Sequence, residues 1–337
     1  MMKRLVRLFL LGIILLSSCA KEEDINEVYP LVYPPHFPEP VYKFEDNPFT
    51  LDGFALGRKL FFDPILSVNN TISCGSCHAP VHYFADHNVA LSTGVYGRTG
   101  IRNAPVAFNL MWNEAFMWDG GVNHIELSGF PAMTDTNEMA ETMNGILFKL
   151  QNSPEYPALF EKAFGEGPIT DQHLFYALTQ FSASVVSATS KYDYYIQGKL
   201  DFSEVELAGL ELFRAKCEAC HQEPLFTDYS FRNNGLDLVF TDLGRARITQ
   251  NQEDLGKFKV PTLRNVLHTY PYMHDGRFRN IDEVLDHYSS GIQNSASLDP
   301  LLSQGISLSE QDKANLKAFL RTLTDVEFLE NRLYYEP

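Results

Sequence analysis

The stretches Cys74-Gly75-Ser76-Cys77-His78 and Cys217-Glu218-Ala219-Cys220-His221 are two copies of one pattern and contain four of the five cysteines of the chain. Two thiols three residues apart, followed at once by a histidine, are typical of covalent attachment of a c-type haem. The thiols form thioethers with the porphyrin, and the histidine ligates the iron. The sequence therefore predicts two c-type haems. Cys74 and Cys77 would attach the first haem, with His78 as its iron ligand, and Cys217 and Cys220 would attach the second, with His221 as its iron ligand.

A structural zinc site is the alternative interpretation of these cysteines. Two C-x-x-C pairs can gather four thiolates around one zinc ion. Zinc, however, leaves the histidine after each pair without a role, and it is uncommon outside the cytosol. We therefore favour haem.

The N-terminal residues 1–18 have the pattern of a secretory signal peptide, because basic residues precede an apolar run from Leu8 to Leu16. The following Leu16-Ser17-Ser18-Cys19 resembles a bacterial lipobox, in which Cys19 is lipidated and becomes the mature first residue. An ordinary signal followed by an unpaired cysteine is the alternative. Because c-type haem is attached outside the cytoplasm, we expect a periplasmic protein that is anchored to a membrane through lipid on Cys19.

The chain is acidic, with a formal net charge of −16. This charge excludes a nucleic-acid partner and would steer a small basic electron donor toward the surface. The alternative is that the acidity only keeps the protein soluble. Residues 19–43 become proline-rich toward their end and predict an extended tether between lipid and body.

The remaining chain contains an internal duplication. Gly57-x-x-Leu60-Phe61 precedes the first cysteine motif, and Gly209-x-x-Leu212-Phe213 precedes the second. Further along, Arg102-Asn103 leads to an Asp-Gly pair, as Arg264-Asn265 does in the second half. A repeat of this length indicates two homologous domains rather than a solenoid. We place them at residues 44–200 and 201–337.

Apolar spacing predicts helices over 173–187 and 204–216, the second preceded by a capping box from Ser203 to Glu206. A second capping box, from Ser309 to Asp312, predicts a last helix that ends near residue 323. Sustained strand alternation is lacking in the sequence. The expected fold is mainly α, with two cytochrome c-like helical domains that each carry one covalently bound c-type haem.

Residues 45–325 resemble the bacterial di-haem cytochrome c peroxidase family, which includes MauG. The motifs that carry the resemblance are 56-LGRKLFFDP-64, 102-RNAP-105, 118-WDG-120, Glu138-Met139, 260-VPTLRN-265 and 271-PYMHDG-276. The resemblance implies a peroxidatic haem in the N-terminal domain and an electron-transfer haem in the C-terminal domain.

The chain departs from the family pattern at three positions. Val95 stands where the peroxidases that need reductive activation have a distal histidine, so we expect an open iron site. Tyr288 stands where their second haem takes methionine, as in MauG, and Ser128 replaces a glutamine of the distal pocket.

The resemblance also implies roles for two catalytic residues. Glu138 would act as general acid and base on peroxide, although Asp135-x-x-Glu138 also resembles a capping box. Glu126 and Glu141 are nearby competitors. Trp118 would relay electrons between the haems, whereas its alternative role is core packing.

Ligands remain to be assigned at two metal positions. For the second haem iron we rank Tyr288 first, then Met273 and then His287. A calcium ion is a family feature, and the matching positions are the Asn103 side chain with the carbonyls of Thr269 and Pro271.

The expected activity is reduction of hydrogen peroxide with electrons from a small donor protein, such as cytochrome c or a cupredoxin. One alternative is MauG-like, peroxide-dependent oxidation of residues on a partner protein. The other is an electron-transfer cytochrome without peroxide chemistry.

Overall fold

The computed structural model describes residues 33–337. The predicted signal peptide at 1–18, the lipid-attachment residue Cys19 and the first part of the predicted tether lie outside these residues. Within them, no helix is both long and apolar enough to span a membrane.

The described chain is mainly helical, as predicted. Its first half contains α1 (Leu51–Phe62), α2 (Cys74–Cys77), α3 (Phe130–Thr134), α4 (Met143–Gln151), α5 (Tyr156–Phe164), α6 (Asp171–Ser184) and α7 (Lys191–Ile196). The second half contains α8 (Glu204–Lys216), α9 (Ala246–Thr249), α10 (Ile281–Asp286), α11 (Glu310–Thr322) and α12 (Val326–Glu330). One antiparallel pair of short strands, β1 (Phe231–Arg232) and β2 (Phe258–Lys259), is added in the second half.

In each half, the helix that precedes the cysteine motif crosses a helix that follows the motif in the sequence. In the first half α1 packs across α6, and in the second half α8 packs across α11. A Cβ atom on Gly57 would lie 1.8 Å from the carbonyl oxygen of Ala177, and one on Gly209 would lie 2.1 Å from that of Asn315. Only glycine allows the backbones to approach so closely. The repeated glycine, Gly57 and Gly209, therefore has the same structural role in both halves, which is to allow two helices to cross in close contact.

Both predicted capping boxes are present. Ser203 and Glu206 cap α8, and Ser309 and Asp312 cap α11, which ends one residue before the predicted limit. The prediction that α11 is the last helix is wrong, since α12 follows.

The helix predicted over 173–187 ends earlier than expected, at Ser184. The backbone of the next residues bonds to Asn109 instead, which donates from its own N–H to the Val185 carbonyl at 2.9 Å and accepts from the Ser187 N–H at 2.9 Å. Two consecutive valines, at 185 and 186, also disfavour the helical conformation.

Residues 33–43 pack against the body rather than extending from it, unlike the tether that was expected there. Phe37 is only 8% exposed and meets the Trp112 ring edge-on, with centroids 5.1 Å apart. The Trp112 indole N–H donates to the Pro38 carbonyl at 2.8 Å. Aromatic burial outweighs the extended preference of the prolines in this segment.

Candidate functional site

The first C-x-x-C-H motif forms a short helical turn that ends at His78. The Nδ1 of His78 donates to the Phe84 carbonyl at 3.1 Å, and Phe84 adopts a left-handed conformation with φ 54° that turns this carbonyl back. Burial lowers the pKa of His78, so the imidazole is neutral at pH 7. With Nδ1 occupied as donor, Nε2 is the nitrogen left to ligate a metal.

The second motif reproduces this arrangement. The Nδ1 of His221 lies 3.2 Å from the Phe226 carbonyl and 3.1 Å from that of Pro261. Phe226 is again left-handed, with φ 56°. Both histidines thus have their ring orientation and tautomer fixed by a backbone carbonyl, as is usual for histidines that ligate metals.

The cysteines of both motifs are free thiols. Burial raises the pKa of Cys74 and of Cys217 to about 12, so neither is a thiolate at neutral pH. In residues 33–337, moreover, no three His, Cys, Asp or Glu side chains are grouped to hold a metal ion. The two pairs therefore do not come together as the zinc alternative requires.

A cavity of about 500 Å³ opens beside the second motif. Cys217, Cys220 and His221 line it, as do Tyr288 and Met273. Most of its surface is apolar. A large apolar cavity with free thiols and a carbonyl-oriented histidine on its wall fits a covalently attached haem.

Tyr288, the first-ranked second ligand, lies in a π-helical turn, His287–Gly291, that directly follows α10. Such turns are frequent at functional sites. Burial raises the pKa of Tyr288 to about 12.

Met273 lines the same cavity from a left-handed backbone conformation with φ 73°. His287 differs from both, because its Nε2 bonds to the Asn234 carbonyl at 3.0 Å and the residue does not line the cavity. The geometry therefore favours Tyr288 and Met273 over His287.

Glu138 differs from the two competing glutamates in having no partner. Glu126 accepts from the Tyr42 hydroxyl at 2.8 Å, and Glu141 pairs with Lys149 at 2.6 Å. Within residues 33–337 no side chain or backbone group hydrogen-bonds to the Glu138 carboxylate. The alternative role of Glu138 in a capping box is not present, since no helix begins at Asp135, which instead ends α3.

Glu138 lies near the first cysteine motif, close enough for its charge to act on Cys74 and Cys77. Solvent reaches its side chain, yet desolvation by the surrounding protein, followed by the charge of Asp135, raises its pKa above the ordinary value. Burial raises the pKa of both Cys74 and Cys77, and the charge of Glu138 adds to this rise. An unpaired carboxylate with a raised pKa near this motif is suited to proton transfer.

Val95 is buried beside Glu138, and its backbone N–H donates to the Glu138 carbonyl at 2.8 Å. The preceding Gly94 allows this close approach, because a Cβ there would lie 2.1 Å from the Asn137 carbonyl oxygen. Val95, which the resemblance predicts to stand at the position of the distal histidine, is thus adjacent to Glu138, and its side chain is aliphatic. Ser128 follows a short 3₁₀ turn, Ile125–Leu127, as its capping residue.

Trp118 lines the large cavity although it belongs to the first half of the chain. Its indole N–H donates to the Asn103 carbonyl at 2.8 Å, and its own carbonyl accepts from the Lys259 N–H at 2.8 Å. Trp118 is therefore held between residues of both halves.

The three residues that were predicted to bind calcium, Asn103, Thr269 and Pro271, line one cavity together. The Asn103 amide donates to the carbonyls of Val89 and Ala90, each at 3.1 Å. This leaves the amide oxygen of Asn103 as the group that could face a cation.

Two residues on the cavity wall were not identified from the sequence. Lys259 donates from Nζ to the Ala115 carbonyl at 2.8 Å, and burial lowers its pKa to about 8. Asn234 donates from Nδ2 to the Met273 sulfur at 3.3 Å. Neither residue belongs to a sequence motif that indicates a function, because the partners of both are far away in the sequence.

Comparison with known proteins agrees with this geometry. The family model for di-haem cytochrome c peroxidase matches residues 52–201. The methylamine utilization protein MauG of Methylorubrum extorquens is 36% identical over 293 residues, which cover 85% of this chain and 82% of that protein. The chain belongs to the di-haem cytochrome c peroxidase family.

Two further relatives extend the comparison. The cytochrome c551 peroxidase of Nitrosomonas europaea is 31% identical over 82% of this chain and 81% of its own length. A solved structure of a MauG-like protein associated with microbial copper homeostasis superposes with a TM-score of 0.85 at 31% identity, covering 92% of this chain and 99% of that one. The family resemblance and the mainly helical fold predicted from the sequence are thus confirmed, and a di-haem family implies two c-type haems.

Proposed function

We propose that the protein is a periplasmic di-haem peroxidase that reduces hydrogen peroxide with electrons from a small donor protein. One observation carries the proposal. The unpaired carboxylate of Glu138 lies near the first motif, beside a buried valine in place of the distal histidine. An electron-transfer cytochrome has no need of such a carboxylate.

The chain supplies two sets of haem-binding residues. Cys74 and Cys77 would attach the first haem and His78 would ligate its iron, whereas Cys217 and Cys220 would attach the second and His221 and Tyr288 would ligate its iron. Bound haem supplies an iron that accepts peroxide and the redox capacity for two electrons. Burial lowers the pKa of both histidines and so favours the neutral ring, while the carbonyls of Phe84 and Phe226 fix the tautomer that leaves Nε2 as ligand.

Glu138 moves the proton that cleavage of the peroxide requires. Its carboxylate takes the proton from one peroxide oxygen and returns it to the other, which then leaves as water. Two electrons and two protons complete the reduction of one peroxide to two waters. The raised pKa of Glu138 suits a group that must both accept and release a proton near neutral pH.

Trp118 is the proposed electron relay between the two sites. It lines the cavity of the second motif while it belongs to the half that carries the first. The hydrogen bond from the indole N–H to the Asn103 carbonyl holds the Trp118 ring in one orientation. A ring with a fixed orientation is better suited to electron transfer than one that is loosely packed.

Further parts of the proposal concern organisation. We assign the peroxidatic domain to residues 44–200 and the electron-transfer domain to 201–337, which the two separate hydrophobic clusters around α1 and α8 support. We also propose a calcium ion at Asn103, Thr269 and Pro271, and periplasmic attachment through lipid on Cys19.

Turnover measurements test the function. Purified protein with both haems should oxidise reduced cytochrome c or a reduced cupredoxin in a peroxide-dependent reaction, with two electrons consumed per peroxide. No oxidation of either donor would refute the peroxidase proposal.

A MauG-like activity is the second candidate, because Tyr288 lines the cavity and MauG is 36% identical. It would appear as peroxide-dependent oxidation of aromatic residues on a partner protein, without a small donor.

The resting state gives a separate prediction. Because Val95 cannot ligate iron, the oxidised protein should show a high-spin signal from the first haem in electron paramagnetic resonance. Peroxide turnover should then begin without a lag and without prior reduction. Val95→His should suppress the high-spin signal and make activity depend on a reductant. Two low-spin signals in the wild-type protein would contradict the prediction.

A further inference from the structure

Arg102 joins the two halves of the chain close to the proposed electron relay. Its Nε and Nη2 donate to the two carboxylate oxygens of Asp242 in the second half, at 2.6 and 2.8 Å. Its Nη1 donates to Asp119 in the first half, at 2.7 Å. All three side chains are at most 15% exposed. One guanidinium thus binds two carboxylates from different halves, which the forked arrangement of arginine donors permits.

Asp119 directly follows Trp118, and its backbone is also held from the second half. Arg245 donates from Nη1 to the carbonyls of Asp119 and Gly120, each at 2.9 Å. Its guanidinium lies 4.4 Å from the centre of the Phe231 ring, on β1. A Cβ atom on Gly120 would lie 2.3 Å from the same ring. Residues of the second half therefore pack closely against the chain that follows Trp118.

The direct contacts of Trp118 lie next to the same arginine. Asn103, whose carbonyl accepts from the indole N–H, directly follows Arg102. The Arg102 guanidinium lies 5.6 Å from the centre of the Phe258 ring, within the range of a cation–π contact. Phe258 directly precedes Lys259, whose N–H donates to the Trp118 carbonyl at 2.8 Å. The partners of the indole and of the Trp118 carbonyl thus each adjoin Arg102 or the ring that it contacts.

The internal duplication shows that this pairing is not a general feature of the repeated motif. Arg264 is the counterpart of Arg102 in the repeat, and Asp275 is the counterpart of Asp119. Arg264, however, pairs with Asp193. Within residues 33–337, the repeated arginine therefore pairs with the repeated aspartate only in the half that carries the relay.

We propose that Arg102 and Asp242 form a clamp between the halves that positions Trp118 for electron transfer. Both are positioning residues, and the inference rests on the proposed relay through Trp118. Because Trp118 belongs to the first half but lines the cavity of the second motif, its distance from that site depends on how the halves are held together. A mostly buried, bidentate ion pair resists separation, since breaking it leaves charges without partners.

The test uses the full protein with both haems, as wild type, Asp242→Asn and Trp118→Phe. Asparagine keeps the size of the side chain but turns an NH₂ group toward one guanidinium N–H, so the bidentate pair is lost. After mixing with peroxide, the first spectral change, whose rate grows with peroxide concentration, should keep its wild-type rate. The later change at the second haem should be slower by roughly tenfold in Asp242→Asn, because its rate falls with the fraction of molecules in which Trp118 is in place.

Asp237→Asn is the matched control. Arg277 also binds two carboxylates, with Nη1 and Nη2 on Asp237 at 2.9 and 3.0 Å and Nε on Asp275 at 2.8 Å. All three residues lie in the second half, so both spectral changes should keep their wild-type rates. Should Asp242→Asn fail to assemble with two haems, Arg102→Lys is the second test, because lysine retains the charge but lacks the fork that reaches both carboxylates.

A double variant shows whether the clamp acts through the indole. Asp242→Asn combined with Trp118→Phe should be no slower than Trp118→Phe alone, and additive losses would overturn the inference. A wild-type rate of the later change in Asp242→Asn, beside a slow Trp118→Phe, would also overturn it and leave the relay intact. If Trp118→Phe is not slowed, the relay fails and the clamp with it. A wild-type protein that does not react with peroxide refutes the proposed function itself.

Discussion

Glu138→Gln lowers kcat for peroxide reduction by about 10²- to 10⁴-fold, the usual contribution of a positioned general acid and base. Glutamine keeps the shape of the side chain but can neither take nor return a proton. Glu138 has no structural partner in the described part of the chain, so the variant should fold and bind haem normally. Steady-state kinetics with a reduced donor, beside measurement of covalently bound haem, give the result.

The pH dependence supplies a second measurement on the same variant. Because the pKa of Glu138 is raised, the wild-type kcat profile should contain a titration above the ordinary glutamate range, and Glu138→Gln should lack it. Glu141→Gln is the matched control, since it makes the same chemical change in a carboxylate that is already paired with Lys149. If both variants retain wild-type kcat, another group transfers the proton.

Arg264→Met destabilises the folded protein by about 3–5 kcal/mol, the cost of leaving a buried charge without its partner. The side chains of Arg264 and Asp193 are both fully buried, and they form two parallel hydrogen bonds of 2.8 and 2.7 Å. The guanidinium also donates to the Pro224 carbonyl and lies 4.6 Å from the centre of the Phe37 ring. The loss should appear as a lower denaturant midpoint in circular dichroism.

The stabilisation that the Arg264–Asp193 pair contributes should be lost at acidic pH. Burial alone would raise the pKa of Asp193, but the charge and hydrogen bonds of Arg264 hold it well below its usual range. A depressed carboxylate pKa stabilises the fold above about pH 4, and this contribution is lost as acid protonates the group.

Two variants serve as controls for this prediction. Arg321→Met changes an exposed arginine and should alter stability by less than about 0.5 kcal/mol. Arg264→Met with Asp193→Asn removes both charges and should recover part of the loss. An Arg264→Met protein as stable as the wild type would show that the pair contributes nothing.

Local patterns in the sequence predicted the parts of the fold that depend on neighbouring residues. The cysteine motifs, the two capping boxes and α8 are of this kind, since residues close together in the sequence determine each of them. The duplicated Gly57 and Gly209 were found as a repeat, but their helix crossings became apparent only from the packing of α1 and α8.

Features that depend on distant partners could not be predicted. Glu126 accepts from Tyr42 and Glu141 pairs with Lys149, which leaves Glu138 as the one of these three glutamates without a partner in residues 33–337. Neither pairing has a local signature in the sequence. Asn234 meets Met273 from a separate segment, 39 residues away in the sequence. The end of α6 and the packing of Phe37 depend in the same way on contacts with distant parts of the chain.

The reaction of the resting ferric protein with hydrogen peroxide can be followed by stopped-flow spectroscopy. We expect an immediate change in the Soret band without any reductant, because the first haem should be open beside Glu138. The change should be slowed in Glu138→Gln. An unchanged Soret spectrum after addition of peroxide would show that the protein is not a peroxidase and would favour electron transfer as its function.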